Sequence, residues 1–313
     1  MRITVAHHNP ASCQRWRDAL AHELPEADVD IWGGGRPGSA DYAIAWAAPP
    51  EDFFAQHDRL KALFCTGAGV EKLLSSPAVP SDIPVIRLED AGMGAQMAHY
   101  CVYSVLQWLR RRDEYEAQQR ARVWKQLPMN DVADWPVGVF GLGVLGLHVA
   151  AAFGALGFTV NGFARSAHHH PGVRSFAEQG GAGDFAAFMR ASRVLVIIAP
   201  LTAATQDRFN RETLALLPPS SYVINVARGG LLVEEALLDL LDNGHIAGAA
   251  LDVFREEPLP QDHPFWTHPK VRITPHSSAI TVIAPSARQV AEKVRLLERG
   301  ESVSGIVDRS RGY

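Results

Sequence analysis

Three short stretches of this chain carry side chains suited to acid–base and anion chemistry. They are Arg228 in NVARGG, Glu256 and Glu257 in FREEPLP, and His276 in ITPHSSA. An arginine can grip a carboxylate through two parallel hydrogen bonds and polarise the carbonyl beside it. A histidine can donate a proton near neutral pH, and a carboxylate next to it can hold it charged and oriented. These are the groups that reduction of a 2-keto acid calls for. Taken singly, each has an ordinary alternative: Arg228 in a structural ion pair, His276 satisfied at a strand end, the two glutamates in a solvated turn.

The context is a dinucleotide fingerprint. In VGVFGLGVLGLHVAAAFGALG, Gly141, Gly143 and Gly146 form G-x-G-x-x-G directly after an apolar strand and before a helix-forming run. The first glycine permits a tight turn, the second admits a pyrophosphate to the backbone, and the third lets helix and strand pack closely. Unpaired N–H groups at the helix start then favour an anion. Discrimination between NAD and NADP falls at the end of the next strand, where an acidic residue would hold a ribose hydroxyl and an arginine a 2′-phosphate. Here FTVNGF runs into Ala164, Arg165 and Ser166, with no acidic residue. NADP(H) is therefore the preferred cofactor, with Arg165 as phosphate partner and Ser166 as a further donor; NAD(H) stays open, as does a merely solvent-facing Arg165.

The elements that must position these residues are strands of an α/β layer. ITVAHH, VDIWGGG, YAIAWAAPP, LKALFCTGAG and PVIRLED read as strands, with helical stretches at 14–23 and 51–60. Met97, Cys101, Val105 and Leu109 then recur every fourth residue, which predicts one face of a long helix over about 94–118. A second series follows: PVGVFGLG, FTVNGFAR, RVLVIIAP, SYVINVAR, IAGAALDVF and VRITPH. Such near-continuous apolar strands are expected where a parallel sheet is covered on both faces. The last helical pattern, 284–300, is placed to cross back onto the first layer.

Bulk properties exclude several functions. The 313 residues, 47% apolar and 20% charged, suit about two soluble domains. A net charge of −4 without a Lys/Arg-rich run argues against nucleic acid as a partner. MRITVAHHNP lacks the apolar run of a signal peptide, and no window reaches the roughly 18 apolar residues of a membrane span. A cytoplasmic protein is expected. Cys13, Cys65 and Cys101 lie far apart without C-x-x-C spacing, so neither a disulfide framework nor a metal site is expected. The triplet His168, His169 and His170 reads as an exposed loop.

In these motifs, G-L-G-V-L-G, N-V-A-R-G-G, L-D-V-F-x-x-E-P-L-P and T-P-H, the chain resembles the D-2-hydroxyacid dehydrogenases. DYAIAWAAPP, GAGVEKLL, RLEDAGMGAQM and VDRSRGY bring it nearest to their bacterial glyoxylate/hydroxypyruvate reductase A type. The resemblance implies two doubly wound parallel-sheet domains. A flavodoxin-like substrate domain would be built from 1–97 and 285–313, and a Rossmann-type cofactor domain from 98–284. It implies that Arg228 binds the substrate carboxylate, that His276 is the general acid/base, and that Glu257, the glutamate before the proline, is its partner. The proline ring also biases residue 257 towards extended backbone, giving its side chain a more fixed direction than that of Glu256.

The resemblance further implies that Gly141, Gly143, Val144, Leu145 and Gly146 cradle the cofactor and that Pro200, Thr205, Val226 and Ala227 line its groove. Asp252 would lie near the nicotinamide carboxamide, and Trp46, Ala68 and Gly69 would contact the substrate. The long helix would join a homodimer interface. The implied activity is NADPH-dependent reduction of glyoxylate and hydroxypyruvate to glycolate and D-glycerate. Alternatives are a dehydrogenase for another keto acid such as phenylpyruvate, a non-catalytic NAD(P)H-sensing regulator, and a related hydrolase that retains NAD. Two departures from the family pattern, Ser277 and Ser278 after the histidine and Ala164 before Arg165, leave the three catalytic groups in place.

Overall fold

The computed structural model describes residues 1–7, 9–34 and 38–313. His8 and residues 35–37, where ITVAHH and VDIWGGG end, lie outside the described residues. The chain forms two compact units, Met1–Met93 with Thr281–Tyr313, and Gly94–Ile280.

In the first unit, strands alternate with helices: β1 (Arg2–Ala6), α1 (Pro10–Glu23), β2 (Asp28–Ile31), β3 (Tyr42–Ala45), α2 (Glu51–Gln56), β4 (Ala62–Cys65), α3 (Glu71–Leu74) and β5 (Val85–Ile86). The sheet is parallel, in the order β2-β1-β3-β4-β5. That is the flavodoxin-like order, which follows from right-handed crossovers running to both sides of β1. β3 and β4 are buried at every position, as a central strand covered on both faces must be.

The second unit begins with α4 (Met93–Leu109) and α5 (Arg112–Ala121), where one long helix was expected. Arg111 adopts the left-handed conformation, φ 54°, and breaks the run. The apolar stripe explains the position. Ala98, Cys101, Val105 and Leu109 are buried, whereas α5 buries no residue and has no apolar face to keep it in line with α4. Then follow β6 (Val137–Phe140), α6 (Val144–Ala155), β7 (Val160–Ala164), β8 (Val173–Ala177), α7 (Ala182–Arg190), β9 (Val194–Ile197), α8 (Arg211–Leu214), β10 (Ser221–Asn225), α9 (Glu234–Asp242), β11 (Ile246–Leu251) and β12 (Val271–Ile273). The edge strand β8, VRSFA, was not among the expected strands; its mixed, partly exposed residues lack the apolar run of the others.

These seven strands form one parallel sheet, β12-β11-β10-β9-β6-β7-β8. Successive residues of β9 face opposite cores. Leu195 and Ile197 join a cluster with Phe140, Phe163, Phe185, Phe188 and Phe209, while Val194 and Val196 join Val137, Val139, Phe153 and Ile224. Burying each such side chain is worth roughly 1.5–3 kcal/mol, so both cores hold the strand ends in fixed register. The closing helix, α10 (Ile283–Glu298), belongs to the first unit and packs on α1. Its Lys293 reaches Glu89 at 2.9 Å and the Ser304 carbonyl at 2.8 Å.

Candidate active site

In the second unit the residues singled out from sequence lie just beyond the carboxyl ends of parallel strands: Gly141 after β6, Arg165 after β7, Pro200 after β9, Arg228 after β10, Asp252 after β11 and His276 after β12. Open α/β sheets bind ligands at this edge, where the strand order reverses. The reversal here is between β6 and β9.

The glycine turn is shaped for an anion. Gly141 has φ +115°, and a Cβ at Gly146 would overlap the Gly141 carbonyl oxygen, so helix α6 can start this close to β6 only with glycine there. Nothing lies within 4 Å of where a Gly143 side chain would be. Gly143 opens the helix without a side-chain cap, leaving its first N–H groups and the exposed Val144 at the surface. These residues fit a dinucleotide pyrophosphate. Leu145 is partly buried in the same turn, and Arg165 stands exposed beside the half-buried Ser166 at the end of β7. The next loop is tied by Thr205, whose hydroxyl donates to the Pro200 carbonyl at 2.8 Å and accepts from the Thr202 amide at 2.8 Å. Val226 and Ala227 are buried.

Two loops carry the candidate acid–base groups, and glycine again sets their approach. A Cβ on Gly229 would overlap the backbone of Phe254 and Arg255, so the loop after β10 is pressed directly against the loop after β11. Arg228 is held at its backbone by fully buried Asn225, whose Nδ2 donates to the Arg228 carbonyl at 3.0 Å and whose Oδ1 accepts from the Ala227 amide at 3.1 Å. The Arg228 guanidinium donates to the Ala227 carbonyl at 2.6 Å. Arg255 anchors the second loop: its amide donates to Glu234 at 3.0 Å, its Nε to the Leu232 carbonyl at 3.0 Å, and its guanidinium pairs with Asp207.

Glu257 and His276 meet. Oε1 of Glu257 accepts from the Phe254 amide at 3.1 Å, and Oε2 lies 2.8 Å from His276 Nδ1. One carboxylate is thus fixed to its own loop by one oxygen and to the histidine by the other. Glu256 is exposed, with no such contact among the described hydrogen bonds. The His276 backbone is left-handed, φ 52°, a conformation costing about 1–2 kcal/mol for a residue with a Cβ. It is held by amide bonds to the Asp252 carbonyl at 2.8 Å and the Thr274 carbonyl at 3.1 Å.

Asp252 is fully buried. Its carboxylate accepts from the Thr274 hydroxyl at 2.5 Å and from the amides of Ser277 and Ser278 at 2.8 and 2.9 Å. The Tyr100 hydroxyl, on α4, is 2.8 Å from Thr274 Oγ1. Burial first, with a contribution from the Asp252 charge, pushes the Tyr100 phenol up to about 12. The same two causes raise the buried Cys101 thiol. Asn225, Arg255, Thr274 and Tyr100 were not among the residues singled out from sequence. An Asn at a strand end can signal a side-chain-closed turn, but the others act through partners remote in sequence.

In the first unit, Trp46 follows β3 and its ring lies against the backbone of Gly67 after β4. Ala68 and Gly69 are partly buried, and the Gly69 carbonyl accepts from the Cys65 thiol at 3.3 Å. The two adjacent strand ends thus bring these three candidate residues onto neighbouring loops. No group of three or more His, Cys, Asp or Glu among the described residues could hold a metal ion. His168 of the triplet lies 3.4 Å from Ser166 Oγ through Nε2.

Residues 102–278 match the family model described as the NAD binding domain of D-isomer specific 2-hydroxyacid dehydrogenases. The chain belongs to this family. A protein of Klebsiella pneumoniae named glyoxylate/hydroxypyruvate reductase A is 44% identical over 99% of both chains, and one of that name from Photorhabdus laumondii is 42% identical over 99% of both. Among solved structures, a D-isomer specific 2-hydroxyacid dehydrogenase of Xanthobacter autotrophicus, in complex with NADPH and MES, aligns with TM-score 0.91 at 37% identity over 99% of each chain. An NADPH-dependent glyoxylate/hydroxypyruvate reductase of Sinorhizobium meliloti, in complex with NADP and sulfate, aligns with TM-score 0.91 at 32% identity, covering 100% of this chain and 99% of that one. No helix among the described residues is long and apolar enough to cross a membrane.

Proposed function

We propose that this dehydrogenase reduces small 2-keto acids, glyoxylate and hydroxypyruvate, to glycolate and D-glycerate with NADPH. The observation that carries the chemistry is the Glu257–His276 pair. Because Nδ1 is engaged with Glu257 at 2.8 Å, Nε2 is the ring nitrogen left to exchange a proton with the substrate oxygen. Bound NADPH supplies a hydride to C2 of the keto acid. His276 donates its proton to the carbonyl oxygen, Glu257 keeps the ring oriented through Nδ1, and Arg228 grips the substrate carboxylate through two hydrogen bonds. The names of the relatives support the substrate class.

Arg165, with no acidic residue beside it at the end of β7, supports NADPH over NADH. In this proposal, 98–284 is the cofactor domain, and 1–97 with 285–313 contributes Trp46, Ala68 and Gly69 to the substrate. Asp252 and the loops bearing Pro200, Thr205, Val226 and Ala227 border the nicotinamide end. The enzyme acts in the cytoplasm as a homodimer, with α4 at the interface. Turnover of hydroxypyruvate, glyoxylate and phenylpyruvate, each with NADPH and with NADH, tests the reading. The highest kcat/KM is expected for the two short acids with NADPH. A preference for phenylpyruvate would overturn the substrate class, and tight NADPH binding without turnover of any keto acid would point instead to a cofactor-sensing regulator.

A further inference from the structure

The left-handed turn that carries His276 is not maintained by the His276 side chain. It closes around one fully buried carboxylate, since Asp252 takes the Thr274 hydroxyl and the Ser277 amide on Oδ1 and the Ser278 amide on Oδ2. These three donors flank His276 on both sides in sequence. The Asp252 backbone carbonyl also receives the His276 amide at 2.8 Å. Hydrogen counting fixes the direction of the next link. The Thr274 hydroxyl has one hydrogen, which goes to the carboxylate, so the Tyr100 hydroxyl 2.8 Å away must be the donor between them.

We propose that Tyr100, Thr274 and Asp252 form a hydrogen-bond chain that positions His276 for proton transfer, with the first member on helix α4, outside the strand-end loops. The inference rests on His276 being the proton donor. Asp252 thereby acts as a positioning residue through the turn, a role distinct from the contact with the nicotinamide carboxamide that the family resemblance implied. The chain fixes the imidazole from the backbone side while Glu257 fixes it through Nδ1. Slackening either should misplace the ring in the same reaction step and leave cofactor binding almost untouched.

Purified Tyr100→Phe, Thr274→Val and His276→Ala variants test this through kcat, KM for the keto acid, and NADPH affinity by fluorescence titration. Tyr100→Phe should lower kcat about threefold to tenfold and Thr274→Val about tenfold or more, because a displacement on the order of 1 Å is costly in rate. In both, KM and NADPH affinity should change by no more than about twofold. Tyr100→Phe added to His276→Ala should cause no further loss, since the chain acts only through that ring. Wild-type kcat in both single variants, beside an inactive His276→Ala, would overturn the chain while leaving the proposed reaction standing. A large loss of NADPH affinity with unchanged kcat at saturating cofactor would assign the turn to cofactor binding instead. Survival of turnover in His276→Ala would remove the proposed proton donor and, with it, the chain. If Thr274→Val does not fold, Tyr100→Phe, which removes one oxygen atom from a half-buried ring, decides alone.

Discussion

Two carboxylate–base pairs of almost equal length occupy opposite environments. Glu257 and His276, at the strand edge of the second unit, are 2.8 Å apart with side chains 35% and 41% exposed. Glu89 and Lys293, in the first unit, are 2.9 Å apart with side chains 24% and 8% exposed. The second pair also receives the Ser304 hydroxyl and binds α10 to the segment after β5, where Gln289 bonds the Glu89 backbone twice. An exposed pair contributes little to stability, whereas removing one partner of a buried pair leaves a charge in a poor solvent. Contact distance alone therefore does not separate chemistry from architecture; exposure and the remaining partners do. Among the described residues, the Glu257–His276 pair leaves one imidazole nitrogen uncommitted, while the Lys293 ammonium is used up by Glu89 and the carbonyls of Arg87 and Ser304.

Breaking each region should produce opposite phenotypes. Arg228→Leu, at the exposed edge, is expected to lower kcat/KM for the keto acid about a thousandfold, roughly 4 kcal/mol of transition-state binding, with the melting temperature nearly unchanged. Steady-state kinetics beside calorimetry would check both halves. Lys293→Met should do the reverse, costing about 3 kcal/mol of stability while the kcat of the folded fraction stays near wild type. Urea denaturation measures this, and a stability change too small to resolve would remove the contrast.

The buried pair also predicts a pH dependence. Burial alone would raise the Glu89 carboxyl, but the Ser304 hydroxyl and the Lys293 ammonium outweigh it and hold the group below its ordinary value. A carboxyl depressed in the folded state gives stability above the ordinary carboxylate range and loses it as pH falls through the folded value. Wild type should therefore lose more stability than Lys293→Met between neutral pH and about pH 3, and parallel losses would argue against the pair as its source. The smaller effects separate the two adjacent glutamates. Glu257→Gln should lower kcat about tenfold, because His276 Nδ1 loses its carboxylate partner. Glu256→Gln should stay within about twofold of wild type. Equal losses from both would make the Phe254 amide and His276 contacts of Glu257 irrelevant.

Much of this arrangement was legible in the chain. Apolar runs such as RVLVIIAP and SYVINVAR announced buried parallel strands, and the glycine spacing at 141, 143 and 146 announced the turn between β6 and α6. The break at Arg111 was less visible because its neighbours are good helix formers; what stops the helix is the end of the buried stripe at Leu109. β8 was hidden by its polar, half-exposed composition. The supports of the site were hidden for a different reason. Asn225, Thr274 and Tyr100 act through hydrogen bonds that exist only once strands and helix are assembled, and Arg255, beside the two glutamates, looked like part of a solvated turn although it anchors the loop through Glu234, Leu232 and Asp207.

The account stands most directly on the proton donor, and the measurement that tests it is the turnover of hydroxypyruvate with NADPH by His276→Ala, taken together with NADPH affinity on the same preparation. The account predicts a fall in kcat of about a thousandfold, with affinity for NADPH retained within about twofold. Turnover within a few-fold of wild type would contradict it.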